Sequence, residues 1–470
     1  MTDWLRTARD VASAACPSNW SEAGERRAAL PISERLPDAV IAVLLGALTY
    51  LAYRWTAGPS ALHQSNQPHF VLLADAILHG HLWIDPVRGS RLGDITPFDG
   101  RYYVSFPPMP AILLLPFVAI SGPGFDDRIF SIALGSANVA LAYLLTRRLS
   151  FPGFASEGIP IGRLEAFAVA ALLGFGTVHF YATLAGTVWF IAHVVSVTFV
   201  LLYLLECAGS GRPIVAGAAL AAALLTRTPT IFGLVLWAAL LLRRTGSPIK
   251  VVAPMIRFAI PIALAVTLLL GQNVVRFGSP FDFGYLSMRI ARQLRPDLLE
   301  YGQFSVHFLP RNLAALLITP PVVAQINLPV WLEMIGGPGG LLRLVTTPAS
   351  RMGIPFPVSF DPWGTGLWAV SPALAFGLRV PRRRDAFVAV ATWLSALAIA
   401  APDLLYYNTG WYQYGYRFSL DFTPFLLVLT AMGLRRPLHP LWRVLFVLLL
   451  IVSVVSNFLG TRWFLHLTPY

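Results

Sequence analysis

Apolar runs of roughly twenty residues, separated by short polar turns, set the rhythm of this chain from Asp38 onward. A helix of about 20 apolar residues is what crosses the ~30 Å hydrocarbon layer of a bilayer. By that criterion about eleven runs can be marked. They begin near Asp38, Asp126, Leu164, Thr187, Pro213, Thr228, Pro254, Gly364, Ala386, Ser419 and Leu441, and several are short or broken by proline and glycine. The predicted fold is an all-α polytopic membrane protein of about eleven transmembrane helices. A polar N-terminal segment, residues 1–37, precedes a single transmembrane domain over 38–470.

Two stretches interrupt the rhythm and predict long loops, about 56–125 and 276–363. Loops of this size are usually functional. In the first, Phe70, Leu73, Ala74, Ile77, Leu78 and His81 recur at helical spacing within QPHFVLLADAILHGHLW, which predicts an amphipathic helix lying at the membrane surface. Asp75 and His79 fall four apart on its polar flank. The following run, PPMPAILLLPFVAISG, is short and carries prolines at 107, 108, 110 and 116, so it is expected to lie on or dip into the outer leaflet. In the second loop, short helical patches are expected at 312–318 and 328–335, with a GGPGG turn at 336–340.

Charge gives the orientation. Lys and Arg number 35 against 23 Asp and Glu, a net charge of +12, and Lys250 is the only lysine. The arginines gather in short turns between apolar runs, such as Arg147–Arg148, Arg243–Arg244 and Arg435–Arg436. Basic turns mark the cytoplasmic side, so the N-terminus is expected inside, the C-terminus outside, and both long loops outside. The first 37 residues lack the short apolar core of a cleaved signal peptide, so the first span is expected to stay as an anchor. Charged residues make up 12% of the chain and hydrophobic ones 56%. A soluble domain carries about 25% charge. That excludes a soluble enzyme, a disordered chain and a nucleic-acid binder, and makes anionic membrane lipids the partners of the basic turns. Cys16 and Cys207 lie in segments read as cytoplasmic and imply no disulfide framework.

Candidate chemistry concentrates in the outer segments. A carboxylate there can act as general base toward an acceptor hydroxyl, and Asp75, Asp94 and Asp99 are the candidates. Each has a structural alternative: Asp94 and Asp99 as turn residues, since Asp99-Gly100 is a turn dipeptide, and Asp75 as a charge on a helix surface. Arg101, Arg227, Arg276 and Arg417 sit at outer ends, where a guanidinium fork suits a lipid-linked phosphate or snorkels to headgroups. His193 lies inside the fourth span and His179 near the end of the third; such residues either bond a neighbouring helix or face a cavity. His69, Tyr103, Trp411, Tyr414 and Tyr416 complete the candidate substrate cavity, the last three by stacking on sugar or by forming an interfacial aromatic belt. No zincin histidine pair and no Walker or Rossmann glycine pattern is present. No cofactor is implied, although a single loosely held Mg2+ or Mn2+ stays open.

In order along most of the chain stand FVLLADAILHGHLW, FPPMPAILLLPFVAI, DRIFSIALGSANVALAYLLTRRL, LAAALLTRTPTIFGLVLWAALLLRR, RFGSPFDFGY and GWYQYGYRFSLDFTPF. This order resembles the GT-C superfamily of membrane glycosyltransferases. The last two motifs look like its bacterial family-39-like members. The resemblance implies transfer of a sugar, with inversion, from a polyprenyl-phosphate donor to an envelope glycan, lipid or protein acceptor at the outer face of a bacterial inner membrane. It implies one carboxylate as base and arginines around the phosphate. One departure is plain: the positions matching the family's usual acidic pair hold Ser65 and Asn66. Two other readings remain. A transporter or lipid flippase predicts internal repeats and midplane charges in broken helices, and the sequence displays neither. A non-catalytic GT-C-like scaffold would bind the lipid phosphate and turn nothing over.

Overall fold

The computed structural model describes residues 32–58, 63–151, 154, 158–159, 161–323, 358–379 and 383–467. Cys16, the expected patch at 328–335 and the GGPGG turn lie outside the described residues. The chain divides into two units, Met1–Ile41 and Ala42–Tyr470. Of the first, the described part is the opening turns of helix α1 (Ile32–Ala57); the remaining elements belong to the second.

After α1 come α2 (His69–Leu78), strands β1 (Trp83–Ile84), β2 (Thr96–Phe98) and β3 (Arg101–Tyr103), and α3 (Met109–Ser121). Then follow α4 (Asp127–Leu149), α5 (Arg163–Phe175), α6 (His179–Ala185), α7 (Val188–Ala208), α8 (Pro213–Leu224), α9 (Leu234–Thr245) and α10 (Pro248–Phe277). The chain closes with α11 (Arg383–Leu405), α12 (Thr423–Gly433) and α13 (Pro440–Leu467). Among the described residues α1, α4, α7, α10, α11 and α13 are the 6 helices long and apolar enough to cross a membrane, or up to 7 if α5 and α6, bent by 48°, form one span. The protein is a multi-pass helical membrane protein.

The expected count of eleven included runs that fold as shorter pieces. Helices α8 and α9 have 12 residues each and α12 has 11. At 1.5 Å per residue such pieces reach about 18 Å, well short of a bilayer. The cause is local. Helix α8 stops at Leu224, and Pro229 then sits in a 3-10 turn, Thr228–Gly233, before α9 begins. The run near Gly364 breaks into two short turns, Leu367–Val370 and Pro372–Leu378, at Pro372. Helix α3, with 13 residues and Pro116 inside it, is likewise too short to span, in line with the sequence expectation.

Helix α2 departs from expectation in a different way. Instead of an amphipathic surface helix it is enclosed on most sides, with His69 through Ala74 and Ala76 all buried. Its partners are α3 and the first turns of α7, which supply Leu114, Val118, Val188 and Ile191 to the same cluster. The strands pair antiparallel in the order β1-β3-β2, with Asp99 and Gly100 as the two-residue β2–β3 connection. Both have positive φ, 48° and 72°, the conformation that a tight hairpin turn requires.

Helix α10 displays the membrane logic. Val252, Ile256, Ile260, Leu264 and Leu268 recur every four residues and are 47–67% exposed. A soluble surface does not carry such a stripe; lipid covers it. Its other face buries Phe258, Ala265 and Leu269, and there Gly217 of α8 lets the two helices approach. A Cβ at Gly217 would stand 2.1 Å from the Phe258 carbonyl oxygen. Polar clasps replace the missing hydrophobic drive between helices. Asn138 Nδ2 of α4 donates to the Val194 carbonyl of α7 at 2.9 Å and lies 3.1 Å from His179 Nε2. Cys207 is buried and free. Gly217→Ala is expected to push α8 off α10 and to destabilise the protein by about 1–3 kcal/mol, the usual penalty of overpacking. Thermal unfolding in detergent measures it, and an unchanged transition would show that the approach tolerates a methyl group.

Candidate functional site

Three segments that break out of regular spans converge on one cavity of about 250 Å³. They are the loop that precedes β2, the α8–α9 turn, and the stretch 403–421, from the last turn of α11 to the turn before α12. The second loop and the first turns of α7 close it.

In the gap left where α8 stops, Arg227, its side chain 22% exposed, forks two carboxylates. Its Nε donates to both oxygens of Asp421, at 2.9 and 3.2 Å, and its Nη2 reaches Asp403 Oδ1 at 3.3 Å. Nη1 has no hydrogen-bond partner among the described residues. His193 of α7 places Nδ1 3.0 Å from Asp421 Oδ1. Asp421 is 0% exposed and Asp403 4% by side chain, so neither carboxylate is solvated; each depends on the guanidinium for its counter-charge. Arg417 enters from the turn Arg417–Asp421, donating Nη1 to the Gly410 carbonyl. Both guanidinium carbons lie over the Phe418 ring, 4.8 Å away for Arg227 and 5.3 Å for Arg417.

Asp94 lines the same cavity. Its Oδ2 accepts from the indole N–H of Trp189 at 2.7 Å. Its backbone N–H donates to the Arg289 carbonyl at 2.8 Å, and Arg289 returns a bond to Ile95 at 2.9 Å, so the two loops pair around it. Its φ is 47°. Burial in the cavity wall raises its carboxyl above the usual carboxylate range, while the Trp189 hydrogen bond and the Arg417 charge pull the other way. Tyr285, Tyr406 and Tyr407 add aromatic walls from the second loop and the end of α11.

Of the residues singled out in the sequence, Asp94, Arg227, Arg417 and His193 line this cavity. Asp75 faces a separate pocket with His79, His81, Trp83, Asp85 and Arg88. Asp99 is the exposed hairpin tip. Arg101 is exposed, with its guanidinium 5.3 Å from the Trp83 ring. Arg276 is buried at the end of α10, where it donates to the Val104 carbonyl and to Asn273 Oδ1; it ties the helix to the chain after β3. Tyr103 packs on Phe277 at 5.5 Å. His69 is buried and bonds the Gly93 carbonyl through Nε2 at 2.7 Å, one residue before Asp94, and burial lowers its pKa. The Tyr416 hydroxyl donates to the Asp403 carbonyl at 3.1 Å, Tyr414 is 3.2 Å from Ser456 Oγ, and Trp411 neighbours Trp363, ring centroids 6.3 Å apart; none of the three lines the cavity. Ser65 has no acid of its own but donates its N–H and hydroxyl to Asp127, at 2.7 and 2.6 Å.

Sequence reasoning passed over Asp403, Asp421, Trp189 and Tyr285, while Tyr407 belongs to the aromatic tract 406–416 that the sequence offers for stacking on sugar or for an interfacial belt. The two aspartates carried the signal used for Asp75, a carboxylate inside an apolar stretch. Trp189 and Tyr285 carried none. Among the described residues no group of three or more His, Cys, Asp or Glu side chains is placed to hold a metal ion.

No protein-family model matches the sequence, and no curated protein matches it. Two solved structures are similar. One is the apo form of the oligosaccharyltransferase of Archaeoglobus fulgidus, at 15% identity and a TM-score of 0.49, covering 92% of this chain and 56% of that one. The other is ArnT of Cupriavidus metallidurans bound to undecaprenyl phosphate, at 13% identity and a TM-score of 0.45, covering 90% of this chain and 76% of that one. The chain therefore spans little more than half the length of the archaeal protein.

Removing the shared guanidinium strands two buried carboxylates. Arg227→Met is expected to destabilise the protein by about 3–5 kcal/mol, the scale for breaking a buried pair, read as a fall in the thermal unfolding transition. Arg227→Lys, which keeps the charge and loses the planar fork, should fall between. A Met variant that unfolds at the wild-type temperature would refute the shared-fork account.

Proposed function

We propose that this chain is a GT-C-type glycosyltransferase that moves a sugar from a polyprenyl phosphate to an acceptor hydroxyl at the outer face of the membrane, with inversion. The observation that carries the reading is a single cavity lined by one carboxylate, Asp94, and by two guanidinium groups, Arg227 and Arg417. Asp94 takes the proton from the acceptor hydroxyl as its oxygen attacks the anomeric carbon. The bond from that carbon to the phosphate oxygen breaks in the same displacement, and the phosphate leaves as an anion. An anionic phosphate is a good leaving group, so the second carboxylate that glycosidases use as acid is not needed. The charge growing on the phosphate meets Arg417 and the unengaged Nη1 of Arg227, fixed donors in a water-poor wall. Asp403 and Asp421 hold Arg227 and do no proton transfer in this scheme.

The test is purification in native lipid, with mass spectrometry and cryo-EM for a retained polyprenyl phosphate, alongside transfer from a polyprenyl-phosphate sugar. The wild type is expected to retain the lipid with its phosphate at Arg227 and Arg417. Asp94→Asn should keep the lipid and lose about 10²–10⁴-fold in turnover, the usual worth of a general base. Arg417→Ala should lose both. A passage open alternately to the two sides, with no retained lipid and no transfer, would favour a transporter. Retained lipid without transfer would favour a non-catalytic scaffold.

A further inference from the structure

Asp94 is held more tightly than a turn residue needs to be. Its backbone is fixed from three directions: Gly93 N–H donates to Gln67 Oε1 at 2.9 Å, the Gly93 carbonyl meets His69 Nε2 at 2.7 Å, and Asp94 N–H donates to Arg289. Side-chain rotation is the freedom that remains, and the 2.7 Å bond from Trp189 to Oδ2 removes it. Trp189 is itself registered on the same residue, because the preceding Val188 N–H bonds the Gln67 carbonyl at 3.4 Å. Gln67 thus sets the backbone of the acid with its side chain and the start of α7 with its carbonyl.

We propose that Trp189 is the positioning residue of this site: its indole N–H holds one oxygen of Asp94 so that the other is presented to the acceptor. This rests on the reading of Asp94 as the base. Indole is a donor with no acceptor, so it cannot take the proton itself or bind a protonated carboxyl oxygen through its hydrogen; it favours the anion. Its ring also lines the cavity that Asp94 lines. The other groups facing Asp94 are Arg417 from the 403–421 stretch, Tyr407 after α11, Tyr285 from the second loop and His69 of α2. Arg417 favours the anion too; the tyrosines and His69 are uncharged near neutrality.

The sign of the effect follows. With the indole N–H gone, the anion loses a hydrogen bond and Asp94 protonates more readily, so its pKa rises. The base form exists above that pKa, and the acidic limb of activity moves to higher pH. The experiment uses the full chain in lipid nanodiscs and a carbodiimide, which reacts with the protonated carboxyl, with mass spectrometry reading the label at Asp94 across pH. Trp189→Phe keeps the ring and loses the donor. It should raise the half-labelling pH by about one unit, a tenfold change in the anion's share. The acidic limb of turnover should move the same way, with kcat down about tenfold and the donor KM within a factor of about two, as expected for an interaction that matters in the transition state. Trp189→His, which restores a ring N–H, should bring labelling back toward the wild type, and it stands in if the Phe variant does not fold. Labelling at the wild-type pH in Trp189→Phe overturns the proposal. A shifted label in a protein that transfers no sugar keeps the Trp189–Asp94 assignment and removes the transferase reading on which its purpose rests.

Discussion

A guanidinium held between two carboxylates with almost no solvent is the constraint around which the rest of this protein is arranged. Asp403 comes from α11, Asp421 from the turn before α12 and Arg227 from the gap between α8 and α9. None of the three charges is tolerable alone in a low-dielectric interior, and each is stabilised by the others. The requirement acts back on the backbone. Helix α8 stops at Leu224 so that Arg227 can enter, and irregular backbone at this depth is acceptable because it faces a polar cavity and not lipid. His193 extends the cluster into α7.

The loops then build on that arrangement. The last carbonyls of α11 have no partner within the helix, and the second loop supplies them. Asn312 Nδ2 donates to the Leu404 and Tyr406 carbonyls at 2.9 and 2.8 Å, and Ser305 N–H to the Leu405 carbonyl at 2.8 Å. Tyr407 N–H bonds back to Gln303 at 3.0 Å. The segment carrying Tyr406 and Tyr407 is fixed by the loop above it, while the same loop reaches Asp94 through Arg289. Both walls of the cavity are therefore set by one stretch of chain.

Much of this was legible in the sequence, and the limits have physical causes. Membrane class and helical content followed from run length and charge, which act locally. Asp94, Arg227, Arg417 and His193 were legible because polar groups among apolar neighbours stand out. The short α8, α9 and α12 were read as spans because hydropathy does not register where a helix turns 3-10; the proline at 229 was the available sign. Helix α2 was misread as amphipathic because its burial depends on α3 and on Val188 and Ile191, far along the chain. Arg276 looked like a phosphate ligand for the same reason: its partner, the Val104 carbonyl, is visible only in three dimensions. Trp189 had no sequence mark at all, since what distinguishes it is a single N–H direction.

The reciprocal backbone pair between Asp94–Ile95 and Arg289 makes the two loops one heritable module. A chimera that exchanged the first loop alone would carry Asp94 but lose the strand-like partner that sets its left-handed backbone. One that exchanged the second alone would also uncap α11. Diversification of what this scaffold accepts would therefore proceed by paired changes in two regions nearly two hundred residues apart, with the buried helices between them, which carry Trp189, His193 and Arg227, held constant.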